Sequence, residues 1–147
     1  MRKIAAVVVM VLLPVLVSAQ QTTTLNMNAQ DKEYAKLMYW FAEEMLDIYK
    51  HAKNSDDARS RMPDIEIARS RKERELKRQG LIADTDKPTE AVLYISGVVG
   101  KLEATAQIIR GARDSYVRYP MEGTLDDIRK HANEGQAMLK QLQDLAK

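Results

Sequence analysis

Three stretches of this chain repeat apolar residues at alternating steps of three and four, a rhythm that places them along one side of an α-helix. The first is Tyr34, Met38, Phe41, Met45, Ile48 and Ala52. The second is Val92, Ile95, Val99, Leu102, Ala106 and Ile109, continued through Arg113 to Tyr116. The third is Leu125, Ile128, Ala132, Gly135, Leu139, Leu142 and Ala146. Aromatic residues make up only 5% of the chain, and no stretch alternates apolar with polar over strand length. The expected fold is therefore all-α, with seams of the heptad kind.

Punctuation sets the boundaries. The first helix is expected over 29–53, capped by Asn28 with Asp31 in the capping-box position. The second is expected over 55–79, with Ser55 as cap, Asp56 and Asp57 behind it, and Gly80 as the stop. Pro63 predicts a break there into a short and a longer piece. No apolar residue falls between Ala68 and Leu76, so this is the weakly packed member. A loop over 81–87 offers Asp84, Thr85 and Asp86 as caps for a third helix opening near Pro88. A turn over Tyr119–Gly123 leads to a fourth helix capped by Thr124, with Asp127 three residues on. So short a turn makes helices three and four antiparallel neighbours. The architecture read from this is one antiparallel helical-bundle domain over 28–147, with three long helices and one weaker, kinked one.

The N-terminus has a different character. Arg2 and Lys3 precede an apolar run from Ile4 to Val17, and Val17-Ser18-Ala19 supplies small residues where a signal peptidase cuts. The run is shorter than the about 20 residues a bilayer core requires. Residues 1–19 are thus read as a cleaved signal peptide and 20–27 as a flexible arm. No second apolar run is expected to reach spanning length, so the mature chain is expected to be soluble. Loss of Arg2 and Lys3 with the leader brings the 23 basic residues level with the 21 acidic ones. A neutral mature chain argues against a nucleic-acid partner. With no cysteine, thiol chemistry and disulfides are excluded, and an exported helical domain of this kind fits a bacterial periplasm or exterior.

Chemistry is sparse. His51 and His131 stand on different helices, with Asp47 and Asp127 four residues before them. Surface ion pairs account for that spacing more economically than a metal site. No metalloprotease helix, phosphate loop or serine elbow is present in the sequence. The chain is read as non-enzymatic, with no cofactor and no bound metal.

Three features point to binding. Leu37, Tyr39 and Trp40 crowd apolar bulk onto the first helix outside its stripe, which marks a candidate protein-partner patch. Arg69, Arg71, Lys72, Arg74, Lys77 and Arg78 make a candidate anion or membrane-surface site on the second helix. These cations scatter around the helix, however, and several have an acid four residues away, as expected of a solvated, ion-paired surface. On the third helix Ser96, Gly100 and Ala104 form one small-residue face, with Gly97 and Gly111 nearby, suited to close packing within or between chains. The expectation is an exported interaction protein of the bacterial envelope that binds protein partners or itself. It would be an accessory part of a secretion or conjugation assembly, or a periplasmic adaptor or chaperone. The alternative is an anionic ligand- or membrane-surface-binding module.

Overall fold

The computed structural model describes residues 25–147, which form four helices: α1 (Ala29–His51), α2 (Ser55–Arg78), α3 (Glu90–Arg118) and α4 (Glu122–Leu145). The signal peptide read at 1–19, and residues 20–24 of the arm, lie outside the described residues. The end of that arm is not loose, since Met27 packs against the core.

Helix α1 begins with the expected capping box. Asn28 Oδ1 accepts from the Asp31 N–H at 2.8 Å, and Asp31 Oδ2 accepts from the Asn28 N–H at 3.0 Å. The other oxygen of the buried Asp31 carboxyl accepts from the Thr89 hydroxyl at 2.7 Å. Thr89 in turn caps α3 through its side chain and the Val92 N–H. That long-range partner explains why Thr89, and not Asp84, Thr85 or Asp86, opens the helix. It also ties the starts of α1 and α3 together, so these two helices run parallel. Helix α4 returns antiparallel to α3. Its Gln141 side chain donates to the Tyr94 hydroxyl, and its Gly135 lies against Leu102 and Thr105.

The core is built on α1, α3 and α4. Leu102, Ile95, Met45 and Leu142 are its largest fully enclosed side chains. Helix α1 is central and touches all three others. A central helix must be apolar on more than one face, and Ala35, Leu37, Ala42 and Tyr49 are buried beside the stripe residues Met38, Phe41 and Met45. Helix α2 lies against α1 and barely meets α3. Only Ala58 and Met62 are buried on it, both in its first turns.

Two further helix starts differ from expectation. Asn54, one residue earlier than Ser55, caps α2 by accepting from the Asp57 N–H at 2.9 Å. Helix α4 starts at Glu122 with no side-chain cap, ahead of Thr124. Helix α2 also runs unbroken through Pro63. A proline forfeits one backbone hydrogen bond and crowds the preceding turn, and here the helix continues past it as a single element.

Candidate functional site

Of the three residues proposed as a partner patch, Leu37 is buried at 5% exposure and offers no surface to a partner. It belongs to the packing of the central helix. Tyr39 and Trp40 are half-buried and lean on the core. The Tyr39 hydroxyl donates to Glu43 Oε1 at 2.7 Å, which holds the phenol proton and raises its pKa. The Lys72 ammonium stands 4.4 Å from the centre of the Trp40 ring. The aromatic pair is thus partly covered by α2 and by its own helix.

The same contacts account for much of the basic cluster on α2. Arg69 lies 5.5 Å over Phe41 and donates to Glu73 at 2.8 Å. Lys77 meets Glu73 at 3.2 Å and Asp84 at 3.9 Å, and Arg78 pairs with Glu75. Arg71 and Arg74 are exposed and form no ion pair among the described residues. Cations stacked on aromatic faces replace the apolar contacts that α2 lacks. Arg69 and Lys72 thereby hold α2 against α1.

The histidines sit in exposed or half-exposed ion pairs. His51 meets Asp47 at 3.0 Å as the spacing suggests, whereas His131 meets Glu134 at 3.0 Å and not Asp127. Among the described residues no group of three or more His, Asp or Glu side chains is placed to share a metal ion.

Glycines 97, 100 and 111 have nothing within 4 Å of where a β-carbon would stand. Close packing within the chain is therefore not their role. The close approach occurs at Gly135, where a β-carbon would lie 3.6 Å from Leu102 Cδ1. Gly100 instead lines an open groove of about 600 Å³ between α2 and α3, which barely touch each other. Met38, Phe41 and Val99 form its floor, with Ile67 and Arg74 on one wall and Gly100 and Glu103 on the other.

Two features escaped the sequence reading. The first is a polar staple at the top of the bundle. Arg110, buried at 8% exposure, donates to the Ala52 carbonyl at 3.0 Å and to Asp114 Oδ1 at 2.9 Å. Asp114 Oδ2 accepts from the Ser55 N–H at 2.8 Å and from the Ser55 hydroxyl. Burial raises the Asp114 pKa, but the two Ser55 hydrogen bonds and Arg110 outweigh it and hold the carboxyl below its usual range. Ser55, expected to cap α2, is instead the link between the α1–α2 turn and α3.

The second is the tip of the α3–α4 hairpin. Arg110 marks the level where α1 ends, yet α3 continues for two more turns to Arg118. From residue 111 to residue 134 no side chain is buried. Tyr116, Leu125 and Ile128 are half-buried on this stretch, while Val117, Tyr119 and Met121 stand out at 80%, 75% and 66% exposure. Their signal in the sequence was modest: Tyr119-Pro120-Met121 reads as a turn, and only the unequal helix lengths show that the turn projects.

No family model, curated protein or solved structure matches this chain. Its surfaces are therefore read from their own chemistry. By length and composition α3 is apolar enough to cross a bilayer, contrary to the expectation of no second such run. In the fold it serves as a core helix packed on α1 and α4.

Proposed function

We propose that this chain is a small exported interaction protein of the bacterial envelope, without catalysis of its own, that docks through the tip of its α3–α4 hairpin. The observation that carries this reading is the exposure of Val117, Tyr119 and Met121 together on a projection with no buried side chain. Large apolar groups gathered on a protruding turn cost solubility, and a partner that covers them offsets that cost. Tyr and Met also suit such contacts, since one brings area with a polar end and the other adapts its shape. The leader-like N-terminus supports the envelope as the place of action.

The reading replaces the patch around Tyr39 and Trp40 with a surface some distance away. It is tested by placing a photo-crosslinking side chain at Tyr119, and separately at Lys36 on the exposed side of α1, in cells that export the chain. A discrete adduct from position 119 and none from position 36 is expected. No adduct at position 119, or equal yields at both, would overturn it.

A further inference from the structure

Helix α3 carries a second apolar stripe that the bundle does not cover. Leu93, Gly97, Gly100, Ala104, Ile108 and Gly111 follow one another at steps of 4, 3, 4, 4 and 3. At about 100° per residue they share one face, turned away from the buried Ile95, Val99, Leu102 and Ala106. Leu93 and Ile108 are 59% and 50% exposed. Gly97, Gly100 and Ala104 are exposed and Gly111 is half-buried, and each of the three glycines has open space where a β-carbon would stand. Although α3 is a core helix, only 28% of its most apolar 18-residue window is buried. We infer that two copies of this chain pair through this face, with their α3 helices antiparallel. The surface is separate from the hairpin tip, and the inference does not rest on the tip.

The order of large and small residues selects both the occupant and its direction. Turned end for end, the stripe falls back on itself: 93 lies opposite 111, 97 opposite 108 and 100 opposite 104. Each large side chain then meets a glycine, Leu93 on the partner's Gly111 and Ile108 on the partner's Gly97. Gly100 meets the partner's Ala104. Leu93 and Gly111 lie on one side of the stripe's midline, Gly97 and Ile108 on the other. Antiparallel helices that face each other bring like sides together, so these pairs can touch. A parallel pair would set Leu93 on the partner's Leu93 and Ile108 on the partner's Ile108, with glycine facing glycine. Bulk on bulk would hold the axes apart and leave voids beside the glycines, which forfeits packing. A helix of another sequence would need this same order in reverse, and a second copy supplies it.

The contact is isologous and closes at two copies. Packed helices stand about 8–10 Å apart between axes, depending on the side chains at the contact. Glycine and alanine at the centre bring this pair to the near end of that range, because the backbones can approach closely. From Leu93 to Gly111 the helix rises about 27 Å at 1.5 Å per residue. Ser96 and Gln107, both exposed, stand opposite each other along one rim, where interfaces carry their polar groups. Lys101 lies on the other rim near its counterpart, and its length carries the charge into water. One helix from each copy makes a small interface, of the reversible kind.

The chain has no cysteine, so placed thiols report position without interference. Leu93→Cys and Gly111→Cys are prepared separately, mixed, and treated with a short thiol-to-thiol crosslinker. A crosslinked dimer from the mixture is expected, with little from either variant alone. No dimer from the mixture, or an equal yield from Leu93→Cys alone, would overturn the antiparallel pair.

Sedimentation velocity gives a second readout. The parent chain should self-associate as its concentration rises. Gly97→Ile sets a branched side chain against the partner's Ile108 and should weaken association about tenfold or more. Adding Ile108→Gly to Gly97→Ile exchanges large for small across the contact and should restore association. The double exchange leaves composition unchanged, so the gain and loss of helix propensity offset each other. Both positions are exposed, and both variants should keep the parent's helical circular dichroism. A Gly97→Ile chain that associates like the parent overturns the inference, as does a double variant no tighter than Gly97→Ile. A parent chain that stays monomeric overturns it as well. If that monomer floats with phospholipid vesicles, the face meets a membrane and not a second copy.

Discussion

The lower and upper parts of α3 have the same apolar rhythm and opposite surroundings. Between Ala91 and Arg110 the stripe lies against α1 and α4, and Ile95, Val99, Leu102 and Ala106 are buried. Above Arg110 the rhythm continues through Tyr116, but α1 has ended, and besides α4 only the α1–α2 turn reaches α3, through the Ser55–Asp114 hydrogen bonds, so no side chain is buried. A periodic stripe defines a face. The number of neighbours that face meets depends on where the other helices stop. Stability should therefore concentrate in the lower part, leaving the upper part available for contact.

Four measurements would break or sharpen that contrast. The largest effect is expected from Leu102→Ala, which empties a fully buried site and should cost about 2–5 kcal/mol in urea titration. Tyr116→Ala in the upper part should cost well under half as much. Equal losses would mean that the hairpin is as firmly packed as the core.

Next comes the staple at the boundary between the two parts. Arg110→Ala leaves the Ala52 carbonyl and the Asp114 carboxylate without their buried donor, and about 2–3 kcal/mol of destabilisation is expected. The Asp114 pKa is lower folded than unfolded. Its contribution is therefore complete above the ordinary carboxylate pKa and is lost as pH falls through the lower folded value. In the parent, stability should fall over that acid window. In Asp114→Asn the same window should be flatter, with lower stability at neutral pH. An unchanged acid limb would remove Asp114 from the staple.

A smaller effect of opposite sign is expected at the α3–α4 contact. A β-carbon at Gly135 would meet Leu102 and Thr105 at ordinary contact distances of 3.6 and 3.8 Å. Gly135→Ala should therefore gain about 0.5–1 kcal/mol of helix propensity. Destabilisation would show that the helices cannot yield even slightly there. Least of all, Val117→Asp should change stability by no more than about 0.5 kcal/mol, as surface exchanges do. A larger loss would mean that the tip supports the fold and is not held out for contact.

The sequence made the helices legible because each stripe is a local property. It also made the thinness of α2 legible, since the absence of apolar residues between Ala68 and Leu76 needs no tertiary knowledge. The centrality of α1 was harder to read. Its additional apolar residues, Leu37 among them, announced surplus bulk without saying whether a partner or a third helix would cover it. In the sequence Arg113, which occupies the polar slot of the stripe, stands out more than Arg110. The residue that is buried meets the carbonyl of Ala52, 58 positions earlier in the chain. Thr89 is illegible for a similar reason, because its advantage over neighbouring polar residues comes from Asp31, equally remote. At the candidate site, the small face of α3 was visible as spacing. The groove beside it depends on how α2 and α3 are placed about α1, which no single helix encodes.

The stacking of Lys72 on Trp40 has an optical consequence. Trp40 is the only tryptophan in the chain, and it sits at the α1–α2 seam. Tryptophan emission shifts to the red when water replaces packed neighbours, so fluorescence excited beyond the tyrosine absorption band monitors one seam and leaves the α3–α4 hairpin silent. Circular dichroism at 222 nm sums all four helices. A denaturation followed by both signals should resolve the release of α2 from the melting of the remaining three helices, with fluorescence moving first.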